Sequence, residues 1–297
     1  MALALALPPM GVAARSEAET AQTASKITIG TIVYKWKNID NELKTLADCG
    51  FTSCQLNYNG EMDAAYAKTV RKAAAKHKIK ITTLVGVPGH SVWNFREGPS
   101  TIGLVPREGR EEKLATYKKM IDFCKEAGIP AMHSHFGFIP EDMASPAYKE
   151  FIGVMKGLGE YAKSQGILIY FETGQETPTT LIRAIKDIGT GNLFINCDVA
   201  NLLLYGKANP TDAIRQFGPL VRDIHAKDGC YPSRDNPYEL GAEKPIPEGD
   251  VDFPAIVKIL KAEGYDGAIT IEYELSDGSR AYLEKTRKYL QNLIDNE

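Results

Sequence analysis

The sequence is short of the features that announce several large classes of protein. It has five cysteines, Cys49, Cys54, Cys124, Cys197 and Cys230, an odd number with no CxxC pair, which excludes a zinc knuckle or a vicinal redox couple as a readable motif. It has no excess of basic charge: 35 Lys and Arg stand against 38 Asp and Glu, a net of −3, so the footprint that a phosphate-backbone binder needs is missing. Nucleic acid is therefore not expected as a partner. No apolar run reaches the ~20 residues of a membrane helix. The longest candidate, Met1 to Ala14, falls short and has no Lys or Arg ahead of it. It reads either as an unstructured tail or as the remnant of an export signal, with Gly11-Val12-Ala13-Ala14 near a cleavage point. Residues 1–25 are set apart from the fold on either reading. The location is exported or periplasmic on the second reading and cytoplasmic on the first. No membrane partner is expected, and homo-oligomerisation is left open.

What is present is a chain of 297 residues with 43% hydrophobic and 25% charged residues, fractions that support a large buried core. From residue 26 to 297, short β-branched runs alternate with longer amphipathic stretches. Eight strand candidates begin at Lys26, Phe51, Ile79, Ala131, Ile167, Leu193, Val221 and Ala268. Helical patterns cover 41–49, 64–76, 110–126, 146–164, 179–188, 210–217, 253–263 and 280–295. Several end at glycine, as at Gly128 and Gly189. Eight strand-then-helix units of parallel type predict an α/β fold, a single (β/α)8 TIM barrel. An open doubly wound sheet would want a GxGxxG after its first strand, and Tyr34-Lys35-Trp36-Lys37-Asn38 stands there instead.

In such a barrel the chemistry gathers at the carboxyl ends of the strands. Four late strands end in ionisable residues: Glu172, Asp198, His225 and Glu272, at intervals of 26, 27 and 47 residues. Three carboxylates brought together repel, and burial raises their pKa values unless a cation offsets both effects. With one imidazole they make a ligand set for a single divalent ion. The oxygen-rich set puts Mn²⁺ first, with Mg²⁺, Co²⁺ or Zn²⁺ as alternatives. The plainer alternative is that each acid caps the helix after it or pairs with a basic neighbour.

The segments Phe171-Glu172-Thr173-Gly174-Gln175-Glu176, Asp198-Val199-Ala200-Asn201, Asp223-Ile224-His225-Ala226-Lys227-Asp228-Gly229 and Ile271-Glu272 resemble the xylose isomerase-like TIM-barrel superfamily of sugar isomerases and epimerases. That group includes ketose 3-epimerases and hydroxypyruvate isomerases. The resemblance runs from about residue 26 to the C-terminus. It implies that Glu172, Asp198, His225 and Glu272 hold one divalent metal, and that Glu172 and Glu272 double as acid and base. Ketose 3-epimerases usually place a His and an Arg, both touching substrate oxygens, where Asn201 and Tyr231 stand here, so the substrate is expected to differ from their free ketoses.

The chemistry expected is removal of a proton beside a carbonyl through a cis-enediolate, with charge taken up by the ion and the two glutamates on opposite faces. The substrate is then a small sugar or keto-sugar. Lys227, two residues past His225, alternates to the same face and is an expected substrate contact, the alternative being a solvated lysine or a pair with Asp228. His135, of His133-Ser134-His135, Asn201 and Trp36 are further expected contacts. The His133 and His135 pair could also hold a second ion, and Trp36 could simply pack. The loop from Gly86 to His90 with Trp93 is expected to cover the site. Ser276-Asp277-Gly278-Ser279-Arg280 could hold an anion at a helix start or be a plain cap. The main rival is a 3-keto-glycoside lyase, in which the same proton abstraction is followed by loss of the glycosidic oxygen. An abasic-site endonuclease is disfavoured by five histidines and the negative charge, and a non-catalytic sugar-binding barrel by the presence of both glutamates.

Overall fold

The computed structural model describes residues 27–273 and 279–297. The tail of residues 1–25 and the Ser276-Asp277-Gly278 part of the expected anion site lie outside them. Among the described residues ten strands form: β1 (Thr28–Val33), β2 (Ser53–Asn57), β3 (Lys80–Val85), β4 (Ala131–Ser134), β5 (Leu168–Glu172), β6 (Leu193–Asp198), β7 (Val221–Ala226), β8 (Asp228–Gly229), β9 (Glu243–Lys244) and β10 (Ala268–Ile271). Eight of them close a barrel in the order β1-β10-β7-β6-β5-β4-β3-β2, and the pairs are parallel throughout. Among the described residues no helix is long and apolar enough to cross a membrane.

Strand alternation sorts the side chains. On β6, Ile195 and Cys197 face the helices while Asn196 and Asp198 face the lumen. On β7, Ile224 faces out while Asp223 and His225 face in. Contacts across the lumen show this directly: Gln55 of β2 reaches both His225 and Asn196, strands it does not adjoin. The outward alternates join the buried core against the surrounding helices, each buried Leu or Ile contributing about 1.5–3 kcal/mol. The helices 110–127 and 178–188 end, as predicted, at Gly128 and Gly189, whose φ of 73° and 68° suit a residue without Cβ.

Two parts of the architecture differ from expectation. A helix, Val199–Leu204, starts directly at the end of β6, and all six of its residues are buried. The segment after β7 folds back as the antiparallel pair β8 and β9, with Asp228 opposite Lys244. The Asp228 carboxylate holds it in place, accepting from the backbone N–H groups of Gly229 (2.8 Å), Gly249 (2.9 Å) and Val251 (3.1 Å).

Candidate metal centre

Glu172 and Asp198 are the last residues of β5 and β6, His225 is next to last on β7, and Glu272 follows β10 immediately. Register does the positioning. Asp198 lies opposite His225, and the Glu272 N–H donates to the Ala226 carbonyl. His225 Nδ1 is 2.7 Å from Glu272 Oε2, 3.0 Å from Glu172 Oε1 and 3.7 Å from Asp198 Oδ2. One ligand atom from each of the four lies within 4.8 Å of the others, and all four residues are buried.

The imidazole is oriented from behind. Gln55 Oε1, which can only accept, lies 2.9 Å from His225 Nε2, so Nε2 carries a proton. In the neutral ring Nδ1 then turns a lone pair towards three carboxylates. His225 Nδ1, Asp198 Oδ2 and Glu272 Oε2 are buried without a hydrogen-bond partner among the described residues. Buried polar atoms left this way are costly. A divalent cation is the species that satisfies such a donor set, so the residues present fit one. Asp198 is held by its other oxygen, Oδ1, which accepts from the Asn201 N–H at 2.8 Å as the cap of helix 199–204. Capping and ligation are thus not alternatives here.

Burial pushes the Asp198 carboxyl up to about 7, against the pull of Lys227. Burial alone would raise Glu272 as well, but Lys227 and His225 override it and hold that carboxyl below its ordinary range. Glu172 is likewise held low, against burial, by His135 and His225. His225 is desolvated, yet Glu272 and Glu172 raise its pKa well above the usual value. Without a cation the cluster must store a proton; with one it need not.

A cavity of about 290 Å³ opens onto the centre at the carboxyl end of the barrel. Glu172 and Glu272 line it, whereas Asp198 and His225 lie behind them at 0% exposure. Lys227, His135 and Asn201 also reach the cavity, as do Gly86, Val87 and Trp93 of the expected covering loop. Lys227 Nζ lies 3.7 Å from Glu272 Oε2 and 3.9 Å from Asp198 Oδ2, not paired with Asp228, whose carboxylate is taken by backbone. His135 Nδ1 donates to Gln175 Oε1 (3.0 Å), whose amide in turn donates to the Tyr205 hydroxyl (3.0 Å). His133 is fully buried, with Nδ1 at Thr83 Oγ1 (2.8 Å) and Nε2 3.4 Å from Glu172 Oε2.

Trp36 is not brought to the cavity. Its ring packs edge-on against Tyr66 at 5.3 Å, and its carbonyl accepts from the Tyr66 hydroxyl. His90 is exposed and lines a separate surface hollow. Arg280 pairs with Glu284 one turn along its own helix (2.8 Å). Residues not singled out from the sequence include Gln55, Tyr205 and Glu243. Gln55 at least carried a signal, a polar side chain at an inward position of a buried strand.

Comparison with known proteins bears on the same features. The family model described as xylose isomerase-like TIM barrel matches residues 43–293. The crystal structure of a xylose isomerase domain protein from Planctomyces limnophilus is 30% identical, with a TM-score of 0.81 over 92% of this chain and 97% of that one. A putative hydroxypyruvate isomerase from Homo sapiens is 24% identical over 233 residues, 70% of this chain and 76% of that protein. An uncharacterized protein of Methanocaldococcus jannaschii, MJ1311, is 28% identical over 168 residues, 53% of this chain, and the match spans 55% of that relative's length.

Proposed function

This chain belongs to the xylose isomerase-like TIM barrel family, and we propose that it is a metal-dependent isomerase or epimerase moving a proton beside the carbonyl of a small sugar. Glu172, Asp198, His225 and Glu272 would hold one divalent ion, with Mn²⁺ favoured by three carboxylates and one imidazole. One observation carries the reading: of these four buried groups, the two that line the cavity are the two glutamates. Asp198 and His225 can hold an ion but face no substrate, whereas Glu172 and Glu272 can do both. When bound, the ion would supply Lewis acidity, offsetting negative charge on the sugar's oxygens as the proton leaves.

The rest falls to the chain. Glu172 and Glu272 enter the cavity from β5 and from the end of β10, which lie on separate arcs of the barrel. One takes the proton and the other returns it, to the same carbon in epimerisation or to the next in isomerisation. Lys227, 3.7 Å from Glu272 Oε2, helps keep that carboxylate ionised, the state a base requires. His135, its Nδ1–H committed to Gln175, brings Nε2 to 3.5 Å from Glu172 Oε2 on that side of the cavity.

Elemental analysis followed by incubation with a ketose panel in D₂O, with and without Mn²⁺, tests the proposal. The expected result is ion-dependent deuterium incorporation at a single carbon next to the carbonyl. Glu272→Gln should abolish incorporation while sugar affinity stays within about tenfold, or about 1.4 kcal/mol. Undiminished exchange in that variant would remove Glu272 from proton transfer. A 3-keto-glycoside lyase would use the same two carboxylates, a reading favoured by Asn201 and Tyr231 at the two departures from the ketose 3-epimerase pattern. Release of an aglycone from a 3-keto-glucoside separates the two outcomes.

A further inference from the structure

Among the described residues five large apolar side chains are exposed: Tyr34 (49%), Trp93 (43%), Met143 (52%), Tyr231 (50%) and Tyr238 (59%). Exposed apolar residues scattered singly need no explanation. These are not scattered. Tyr34 follows β1, Trp93 lies in the loop after β3, Met143 lies between β4 and the helix 146–164, and both Tyr231 and Tyr238 lie between β8 and β9. All five belong to loops at the carboxyl end of the barrel.

The loops are joined around the cavity mouth. Tyr34 and Trp93 line the cavity, as do Leu240 and Gly241 from the segment that carries Tyr231 and Tyr238. The Gly241 N–H donates to the Leu204 carbonyl, and the Phe95 N–H donates to the Tyr238 carbonyl, each at 2.8 Å. The second bond ties the tyrosine segment to the loop of Trp93. Trp93 is itself braced edge-on against His135, with ring centroids 5.0 Å apart.

The cavity below is small and short of positive charge. At about 290 Å³ it sits at the lower end of the roughly 300–1,000 Å³ range of small-molecule sites, room for about one sugar ring. Among the described residues its charged lining is Glu172, Glu243 and Glu272 against Lys227, whose ammonium already faces Asp198 and Glu272. A divalent ion and Lys227 together do no more than offset Glu172, Asp198 and Glu272, and Glu243 remains, so among the described residues no surplus of positive charge awaits a phosphate, which favours an uncharged substrate. Aromatic faces just outside suit the apolar face of a further sugar ring.

We propose that the mouth is a binding site for a second pyranose ring, so that the substrate is an uncharged glycoside with its keto-sugar in the cavity and its glycosyl group on Trp93, Tyr231 and Tyr238. The proposal rests on the cavity being the reaction site, and it adds the substrate class.

The test compares fructose with two glucosyl-fructoses, palatinose and maltulose, by two readouts. The first is binding to the Mg²⁺-loaded Trp36→Phe protein, in which Trp93 is the remaining tryptophan and reports by its own fluorescence. The second is solvent deuterium exchange in the wild-type protein. At least one disaccharide should bind at least about tenfold more tightly than fructose, and Tyr231→Ala and Tyr238→Ala should each cut that preference about two- to tenfold, the worth of an aromatic contact. Equal binding of fructose and both disaccharides overturns the proposal whatever the exchange result, as does a preference that both tyrosine variants leave intact. Exchange on fructose without disaccharide preference overturns it while leaving the proposed chemistry standing. Rim-dependent disaccharide binding with no exchange on any sugar leaves the second-ring site standing and removes the chemistry. A dimer in light scattering that Tyr238→Ala dissociates would assign the aromatic surface to a second copy of the chain and overturn the proposal.

Discussion

Replacing Gln55 by methionine removes the group that orients His225 while nearly conserving volume. Gln55 and His225 are both at 0% exposure, and the bond between them is 2.9 Å long. Without the acceptor, a buried N–H is left unpaired at about 1–3 kcal/mol. The ring can avoid that cost by moving its proton to Nδ1. That proton then occupies the face the carboxylates share, 2.7 Å from Glu272 Oε2 and 3.0 Å from Glu172 Oε1. The shift is tolerable in the ion-free protein, where Nδ1–H can donate to either glutamate, and intolerable in the ion-bound one. The variant should therefore lose ion affinity more than stability. Loss of an outer-shell partner to a metal-bound histidine typically costs about 10- to 100-fold in affinity, or about 1.4–2.7 kcal/mol, which agrees with the hydrogen-bond estimate. Calorimetric titration of Mn²⁺ into chelator-treated protein measures the loss, with the ion-free melting temperature as the control. A variant that melts normally and binds Mn²⁺ as tightly as the wild type would refute the account of how His225 is held.

Four other outcomes follow from particular contacts. Asp198, raised by burial to about 7, keeps in the folded state a proton that the unfolded chain releases near 3.8. Its stabilising contribution is therefore full in acid and is lost as pH rises to about 7, and the raised His225 adds a loss at higher pH. Above the ordinary carboxylate range, below which the lowered Glu172 and Glu272 act in the opposite sense, ion-free melts should thus fall with rising pH, and Asp198→Asn, which keeps an N-cap residue, should flatten the part of the slope below about 7; an unchanged slope removes Asp198 as its source. Because a divalent ion competes with the protons on both groups, Mn²⁺ affinity should climb with pH through about 7 and go on rising until His225 gives up its proton. Asp228→Asn sacrifices carboxylate bonds to the Gly229, Gly249 and Val251 N–H groups. It should cost about 2 kcal/mol in thermal unfolding and raise KM more than it lowers kcat, since β8 and β9 carry part of the cavity wall; a fall in kcat alone would sever that link. Trp36→Phe should leave sugar affinity unchanged, because the ring packs on Tyr66 away from the cavity, and weakened binding in a titration would contradict that placement.

The barrel was legible because its strands are β-branched runs of the right length whose helices end in glycine, and the candidate ligands because strand alternation carries polar residues to one face. Helix 199–204 was hidden by its own burial: Val199, Ala200, Leu202, Leu203 and Leu204 face core on every side, so no amphipathic stripe exists to read. The two-residue strands β8 and β9 are too short to leave a period. Gln55 is an uncharged residue whose task depends on what stands across the lumen, 170 positions away. Trp36 lies three residues past β1, where alternation has lapsed and only the path of the loop decides which way a ring turns. Lys227 reaches the cavity because alternation persists beyond His225. The alternative of a pair with Asp228 gives way because that carboxylate faces the backbone of its own hairpin.

Asp198 shows why a ligand set of the proposed kind would sit at strand ends at all. A carboxylate that must hold an ion in a dry lumen needs one fixed orientation, and a rotatable side chain lacks it. The residue that ends β6 also begins helix 199–204, so the helix N-terminus takes Oδ1 and leaves Oδ2 aimed at His225 and Glu272. The cap costs no extra residue, because the backbone N–H groups at a helix start need an acceptor in any case. Among the described residues Glu172 and Glu272 have no such tether: neither caps a helix, and both face the cavity. The capped carboxylate is thereby suited to holding the ion, and the two uncapped ones to the smaller movements that proton transfer demands.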